Sequence, residues 1–171
     1  EYIRLQHVFR AEATGNASAL IRHIRMIKTP WEIEQMRISA RKHEAVYREI
    51  PACYRPGMRD IELQIEIEKR MRVHGSLGYF RAFGSNMDIF MGSLLAGENA
   101  GEPSPFDFAL GGTGMHASGP LGANGTLLRE GTTVMADMSG NYTAYQTDMT
   151  RVFSIGKLPD RAYRVHRVAL E

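Results

Sequence analysis

The sequence is poor in cysteine, in net charge and in long apolar runs, and each shortage excludes a class of protein. Cys53 is the only cysteine among 171 residues, which excludes an internal disulfide and a zinc site built from several thiolates. The 21 basic and 19 acidic side chains are scattered and leave a formal net charge of +2, which argues against binding to nucleic acid or to an anionic membrane. No apolar run approaches the roughly 20 residues that a membrane-spanning helix needs. We therefore expect a cytoplasmic protein in a reducing compartment.

The length of 171 residues suffices for one domain with a sizeable core. The chain begins with Glu1 rather than methionine, and it ends at Glu171 within a stretch that predicts a helix. We therefore expect this chain to be part of a longer protein.

A first helix is predicted over residues 30–50. Thr29 can cap a free backbone N–H, Pro30 suits the first helical position, and Glu32 can complete a capping box. Apolar residues then recur at helical spacing, and Pro51 is expected to end the helix.

The segment RDIELQIEIEKRMRVHG carries the patterns of both a strand and a helix. Ile61, Leu63, Ile65 and Ile67 alternate as in a strand, whereas its acidic and basic residues recur at i,i+4 spacing. Its many Glu, Lys, Arg and Gln residues and its lack of aromatics favour a helix that ends near Gly75.

After Gly75, glycine becomes frequent and short apolar runs predict strands. Four runs are separated by turn residues, namely DIFMGSLLAG, FDFAL, TTVMAD and AYQTDMTRVFSI. The segment LPDRAYRVHRVALE then predicts a last helix. Helices followed by strands indicate an α+β domain, with two helices packed on a mostly antiparallel sheet.

The glycine-rich run FDFALGGTGMHASGPLGANG contains a loose match to the dinucleotide-binding pattern at residues 112–117. A dinucleotide site needs a helix to start there, so that its N-terminus faces the pyrophosphate. Gly119, Pro120, Gly122 and Gly125 follow instead, and these residues break helices. The run therefore predicts a long loop between strands.

Two aspartates, Asp137 and Asp148, lie on two strand-like runs. Between the runs, residues 139–141 are of types that favour turns. A loop centred near residues 142–143 would place the two aspartates opposite each other, with Cβ atoms roughly 4.5–5.5 Å apart. Two ionised carboxylates at that distance repel each other unless a cation or a proton lies between them. The pattern therefore favours a divalent-metal site. The alternative is one acid in the turn and the other in a salt bridge with Arg151.

Three motifs together resemble the creatinase/aminopeptidase P/methionine aminopeptidase family, and most closely its Xaa-Pro peptidases. The motifs are R-x-I-K-x-x-x-E-I-x-x-M-R at residues 25–37, RPGM at residues 55–58, and the long segment at residues 127–156. The resemblance implies the pita-bread fold. It makes residues 25–171 the N-terminal half of the catalytic domain and residues 1–24 a linker or the tail of a preceding domain.

The resemblance also implies a site in which two aspartates, one histidine and two glutamates hold two divalent metal ions. Asp137 and Asp148 match the two aspartates, and the other three ligands are expected beyond the end of this sequence. Oxygen ligands with one imidazole favour manganese, cobalt or zinc. Thr150 is a candidate for orienting a ligand. His116 is the candidate for the family's substrate-contacting histidine, whose usual place falls near Gly119, so His116 either reaches the site through a longer loop or has no role.

The activity that the resemblance implies is two-metal hydrolysis of a peptide bond near the N-terminus, in a peptide with proline in second position. We expect a homo-oligomer. Two alternatives stay open, a pita-bread binding module without catalysis and a metal-independent hydrolase like creatinase. With two of five ligands, the 171-residue chain alone is expected to bind metal weakly, to hydrolyse nothing and to expose an apolar face.

Overall fold

A computed structural model of the protein describes residues 2–9, 15–81, 88–103 and 111–171. The predicted strand FDFAL lies outside these residues. The chain forms two compact units, Glu1–Ile33 and Glu34–Glu171. None of the described helices is long and apolar enough to cross a membrane.

The first unit contains helices α1 (Tyr2–Phe9) and α2 (Ser18–Met26) and the first residues of helix α3 (Pro30–Cys53). The predicted capping box at that start is confirmed. The Thr29 N–H donates to the Glu32 carboxylate over 2.7 Å, and the Glu32 N–H donates to the Thr29 hydroxyl over 3.3 Å. These reciprocal bonds satisfy two N–H groups that the helix itself leaves unpaired.

Helix α3 (Pro30–Cys53) runs through Pro51, so the prediction that Pro51 ends it is wrong. The ring of proline fixes φ near a helical value, and a proline in the last turn costs only one hydrogen bond, so the helix continues for two more residues. The buried side chains of α3 form one face, and they are Ser39, His43, Val46, Tyr47, Ile50 and Cys53.

Helix α4 (Asp60–Val73) confirms the helical interpretation of the ambiguous segment. Leu63, Ile67 and Met71 are buried at i,i+4,i+8 spacing, whereas Ile65 is 53% exposed, so the helical period and not the strand-like alternation decides burial. The helix ends just before Gly75, whose φ of +94° suits glycine.

The described strands are β1 (Phe80–Arg81), β2 (Asp88–Ile89), β3 (Gly92–Ala96), β4 (Thr133–Asn141) and β5 (Gln146–Ser154), with a 3-10 turn at Gly97–Gly101 and helix α5 at Asp160–Leu170. The main sheet is antiparallel and has the strand order β3-β4-β5 among the described residues. A second sheet is a two-stranded ribbon of β1 and β2. The architecture is α+β with an antiparallel sheet, as predicted.

The core lies between one face of this sheet and helices α3 and α4. Val134, Ala136 and Met138 alternate along β4 and join the buried side chains of the two helices in one apolar cluster. Because side chains alternate across a strand, the β4 residues between Val134, Ala136 and Met138 point to the opposite face of the sheet. That opposite face carries the two aspartates.

Candidate metal centre

The hairpin of β4 and β5 has a different register from the predicted one. Asp137 pairs with Thr150, and Asp148 pairs with Ser139, so the prediction that the two aspartates lie directly opposite each other is wrong. Residues 139–141 continue the strand β4 instead of turning, and the loop follows at residues 142–145.

The two aspartates nevertheless lie on the same face of the sheet. Residues directly opposite in an antiparallel pair share a face, and so do residues two positions along. Asp137 and Asp148 are therefore diagonal neighbours, an arrangement with Cα atoms roughly 7–8 Å apart. Thr150 and Ser93, which pair with Asp137 from the two neighbouring strands, share that face.

The surroundings of Asp137 disfavour the charged form of its carboxyl group. Burial raises the pKa of the Asp137 carboxyl, a hydrogen bond from the Thr150 hydroxyl opposes this shift, and the Asp148 carboxylate raises the pKa further. The two carboxyl groups are thus close enough to interact electrostatically. A cation placed beside both would relieve this repulsion.

Arg151 does not form the salt bridge that was the alternative explanation of the pair. Its guanidinium donates to the Thr150 carbonyl oxygen over 2.7 Å. Within the described part of the chain, none of the ion pairs joins Arg151 to Asp137 or Asp148. Arg151 therefore does not neutralise the negative charge of the two aspartates, and their carboxylates can bind another cation.

His116 lies on the glycine-rich loop, and its contacts there are local. Its Nδ1 lies 2.8 Å from the Ser118 hydroxyl oxygen and accepts the Ser118 N–H over 3.1 Å. The side chain is exposed and borders an open cavity of about 610 Å³ together with Glu102 and Pro103. These contacts do not join His116 to either aspartate, and its role stays a prediction.

Two buried polar residues anchor the loop that carries His116, and the sequence patterns did not single them out. Asn99 donates to the Gly122 carbonyl oxygen over 2.9 Å and accepts the Thr113 N–H over 3.0 Å. Asp60, which is fully buried, accepts the N–H groups of Asn124 over 3.1 Å and Gly125 over 2.9 Å. The described part of this run, residues 111–125, contains no helix, as predicted.

Helix α3 supports the hairpin from the face opposite the aspartates. The imidazole Nδ1 of His43 lies 3.1 Å from the Thr147 hydroxyl, and the Tyr142 N–H donates to the Ser39 hydroxyl over 3.3 Å. The Tyr47 hydroxyl contacts the backbone of both strands. Polar residues on the buried face of a helix give no sequence motif, which is why these supports went unpredicted.

The carboxylate oxygens of Asp137 and Asp148 are of the type that a hard divalent ion binds, but two carboxylates are too few ligands for a metal site. Carboxylate oxygens are suitable ligands for such ions, and the pair of aspartates offers them on one face. The described residues contain no cluster of three or more His, Cys, Asp or Glu side chains that could hold a metal ion. Further ligands must therefore come from outside this set of residues if a metal is bound.

The sequence profile of metallopeptidase family M24 matches residues 34–171, and the chain belongs to this family. The matched range contains the hairpin, both aspartates, helix α4 and most of helix α3. It also coincides with the second compact unit of the structure.

Individual relatives agree with this assignment. A probable dipeptidase of Mycobacterium tuberculosis is 26% identical over 146 residues, which cover 84% of this chain and 32% of the relative. An ectoine hydrolase of Halomonas elongata is 25% identical over 158 residues, covering 92% of this chain and 35% of the relative. The chain thus spans about a third of the length of the curated relatives it matches.

Solved structures with the same fold are Xaa-Pro peptidases and dipeptidases. The X-Pro aminopeptidase from Thermotoga maritima has a TM-score of 0.75 at 21% identity, covering 99% of this chain and 41% of that one. A dipeptidase from Pyrococcus horikoshii has a TM-score of 0.65 at 26% identity, covering 91% of this chain and 36% of that one. The pita-bread fold is confirmed.

Proposed function

We propose that this chain supplies part of the active site of a metal-dependent peptidase, which cleaves a peptide bond near the N-terminus of substrates with proline in second position. The observation that carries the proposal is the placement of Asp137 and Asp148 on one face of the hairpin, with no arginine paired to either among the described residues. Several relatives and solved structures are dipeptidases and Xaa-Pro peptidases by name, which supports the substrate class.

Asp137 and Asp148 would hold two divalent metal ions, which we propose to be manganese, cobalt or zinc. Such ions, when bound, polarise a peptide carbonyl and make water acidic enough to supply hydroxide near neutral pH. The Thr150 hydroxyl, which donates to the Asp137 carboxylate, would hold that carboxylate in the orientation needed for a ligand. One histidine and two glutamates from elsewhere in the full-length protein would complete the set.

His116 is proposed to contact the substrate. Its side chain is exposed at a cavity on the loop that Asn99 and Asp60 anchor, and it would donate a hydrogen bond to a substrate carbonyl if the loop brings it to the aspartates. We also propose that the residues before 25 precede the catalytic domain, and that the full-length protein is a cytoplasmic homo-oligomer.

A second candidate is hydrolysis of a small cyclic compound that is not a peptide. The relative from Halomonas elongata is named for ectoine and not for a peptide. A panel with an Xaa-Pro peptide, the matched Xaa-Ala peptide and ectoine separates the two candidates.

The test is hydrolysis of this panel by the natural full-length protein before and after removal of metal. We expect the Xaa-Pro peptide to be preferred, a chelator to abolish activity, and Mn²⁺, Co²⁺ or Zn²⁺ to restore it. Asp148→Asn is expected to lower kcat/KM by roughly 100-fold or more, because disturbing a metal ligand costs at least as much as disturbing its supports. Asp160→Asn, which removes an exposed acid on α5, is the matched control and should leave activity unchanged.

Three results would contradict the proposal. Activity that survives complete metal removal would favour a metal-independent hydrolase. Binding of peptides without turnover in the metal-loaded protein would favour a binding module, and turnover of ectoine alone would favour the second candidate.

A further inference from the structure

The hydroxyl of Tyr47 lies among backbone groups of the two strands that carry the aspartates. It donates to the Ala136 carbonyl oxygen over 3.0 Å and accepts the Met138 N–H over 3.1 Å. It also contacts the carbonyl oxygen of Met149 on β5. The side chain is only 6% exposed, so water does not compete for these bonds.

The directions of the backbone N–H and C=O groups show that this hydroxyl lies between strands β4 and β5. The Ser139 N–H donates over 3.0 Å to the carbonyl oxygen of Met91, the residue just before β3, so the backbone groups of Ser139 point towards β3. Successive residues of a strand point these groups to alternate sides. The backbone N–H and C=O groups of Ala136 and Met138 therefore point towards β5, and on that side they contact the Tyr47 hydroxyl.

The three contacted residues flank Asp137, Asp148 and Thr150 in the sequence. Asp137 lies between Ala136 and Met138, and Met149 lies between Asp148 and Thr150. A hydroxyl has one proton and two lone pairs, so the two carbonyl oxygens share the proton while one lone pair accepts the Met138 N–H. The hydroxyl thus links the backbone at Asp137 with the backbone at Asp148.

This link matters for a metal because ligand distances are set within about 0.2 Å. The two aspartates are on different strands, and their separation depends on the spacing and the relative twist of β4 and β5 at this point. We propose that Tyr47 is a positioning residue, whose hydroxyl fixes the separation of Asp137 and Asp148 for metal binding. The inference rests on the proposed function, since it assigns Tyr47 to the same site.

The test compares Tyr47→Phe with a matched variant of the same helix, Ser39→Ala, in the full-length protein. Tyr47→Phe removes only the hydroxyl. Ser39→Ala removes another buried hydroxyl of α3, one that accepts the Tyr142 N–H at the tip of the hairpin, away from the aspartates. Both variants are expected to lower the Tm, because each leaves backbone groups without their partner.

The readouts are the dissociation constant for Co²⁺, measured by calorimetry on metal-free protein, and the visible absorption spectrum of the Co²⁺-loaded protein. We expect Tyr47→Phe to weaken Co²⁺ binding about tenfold, in the range found when groups that orient metal ligands are removed. Its Co²⁺ spectrum should also change. Ser39→Ala should leave both unchanged, and 4-aminophenylalanine at position 47, which restores a hydrogen-bonding group, should recover most of the lost affinity.

Unchanged affinity and spectrum in Tyr47→Phe would overturn the inference, and so would an equal loss of affinity in Ser39→Ala. If Tyr47→Phe is unfolded at 25 °C, all proteins are compared at 10 °C in concentrated sucrose, which favours the folded state. If the natural protein itself binds no Co²⁺, the proposed function fails, which is a different result from a failure confined to Tyr47→Phe.

Discussion

Acidification should destabilise the protein through His43, a fully buried histidine that faces the hairpin from helix α3. The Thr147 hydroxyl donates to the Gly140 carbonyl oxygen over 3.4 Å, which leaves its lone pairs to accept a hydrogen bond from the N–H at His43 Nδ1. This arrangement indicates the tautomer with a bare Nε2, which has no hydrogen-bond partner within the described structure. Protonation of Nε2 would bury an N–H without an acceptor.

The size of the effect follows from the pKa of His43. Burial lowers this pKa from 6.5 to about 4, with Asp148 opposing the shift and Arg151 adding to it. Between these two pH values the unfolded chain binds a proton at His43 and the folded chain does not, so acid favours unfolding. A difference of about 2.5 pKa units corresponds to about 3 kcal/mol. This contribution is present above pH 6.5 and is lost as the pH falls towards 4.

The assay is urea unfolding of the metal-free full-length protein between pH 8 and pH 4, compared with His43→Asn. Asparagine places an amide nitrogen near the position of Nδ1 but cannot take up a proton. We expect the free energy of unfolding of the natural protein to fall by about 3 kcal/mol more than that of the variant over this range. Parallel pH profiles for the two proteins would refute the reasoning, because all other titrating groups are common to both.

Two substitutions test the contacts that shape the hairpin and the loop. Gly140→Ala should lower the free energy of unfolding by about 1–3 kcal/mol, since a Cβ there would lie 2.8 Å from His43 Nδ1. Asp60→Ala should cost about 3 kcal/mol, because two partly buried N–H groups, those of Asn124 and Gly125, would lose their carboxylate acceptor. Both are measured by urea unfolding.

Each substitution has a control of the same chemical type. Gly101→Ala adds a methyl group where nothing lies within 4 Å, and Asp160→Ala removes an exposed acid, so both should change stability by less than about 0.5 kcal/mol. Equal losses in a substitution and its control would show that the contacts named for Gly140 or Asp60 do not stabilise the fold.

Local chemistry was enough to predict helices α3 and α4, whereas α1 and α2 were not predicted. The Thr29–Glu32 capping box and the glycine after α4 mark helix ends through bonds and backbone angles that involve only neighbours in sequence. The end of α3 was predicted wrongly because a proline in the last turn is tolerated.

The register of the hairpin could not be predicted, because contacts with a distant helix determine it. Residues 139–141 have turn-forming side chains, yet they lie in β4. The loop falls later, where the Thr143 hydroxyl donates to the Gln35 carbonyl oxygen over 3.0 Å and Ala144 adopts a φ of +64°. A positive φ at alanine is uncommon, so no sequence signal marks this turn.

The candidate site was only half visible in the sequence. Asp137 and Asp148 could be found from their spacing and from the family resemblance, whereas Tyr47 acts through backbone contacts with residues about 90 positions away. Such contacts depend on how the helix packs on the sheet. A polar residue on a buried helical face carries no pattern that would reveal them.

The most direct test of the account is a crystal structure of the full-length protein soaked with Zn²⁺, with data collected at the zinc absorption edge. We predict anomalous density on the exposed side of the hairpin, with zinc about 2.0–2.2 Å from carboxylate oxygens of both Asp137 and Asp148. Zinc bound elsewhere, with the two carboxylates turned away from each other and free of metal, would contradict the central claim.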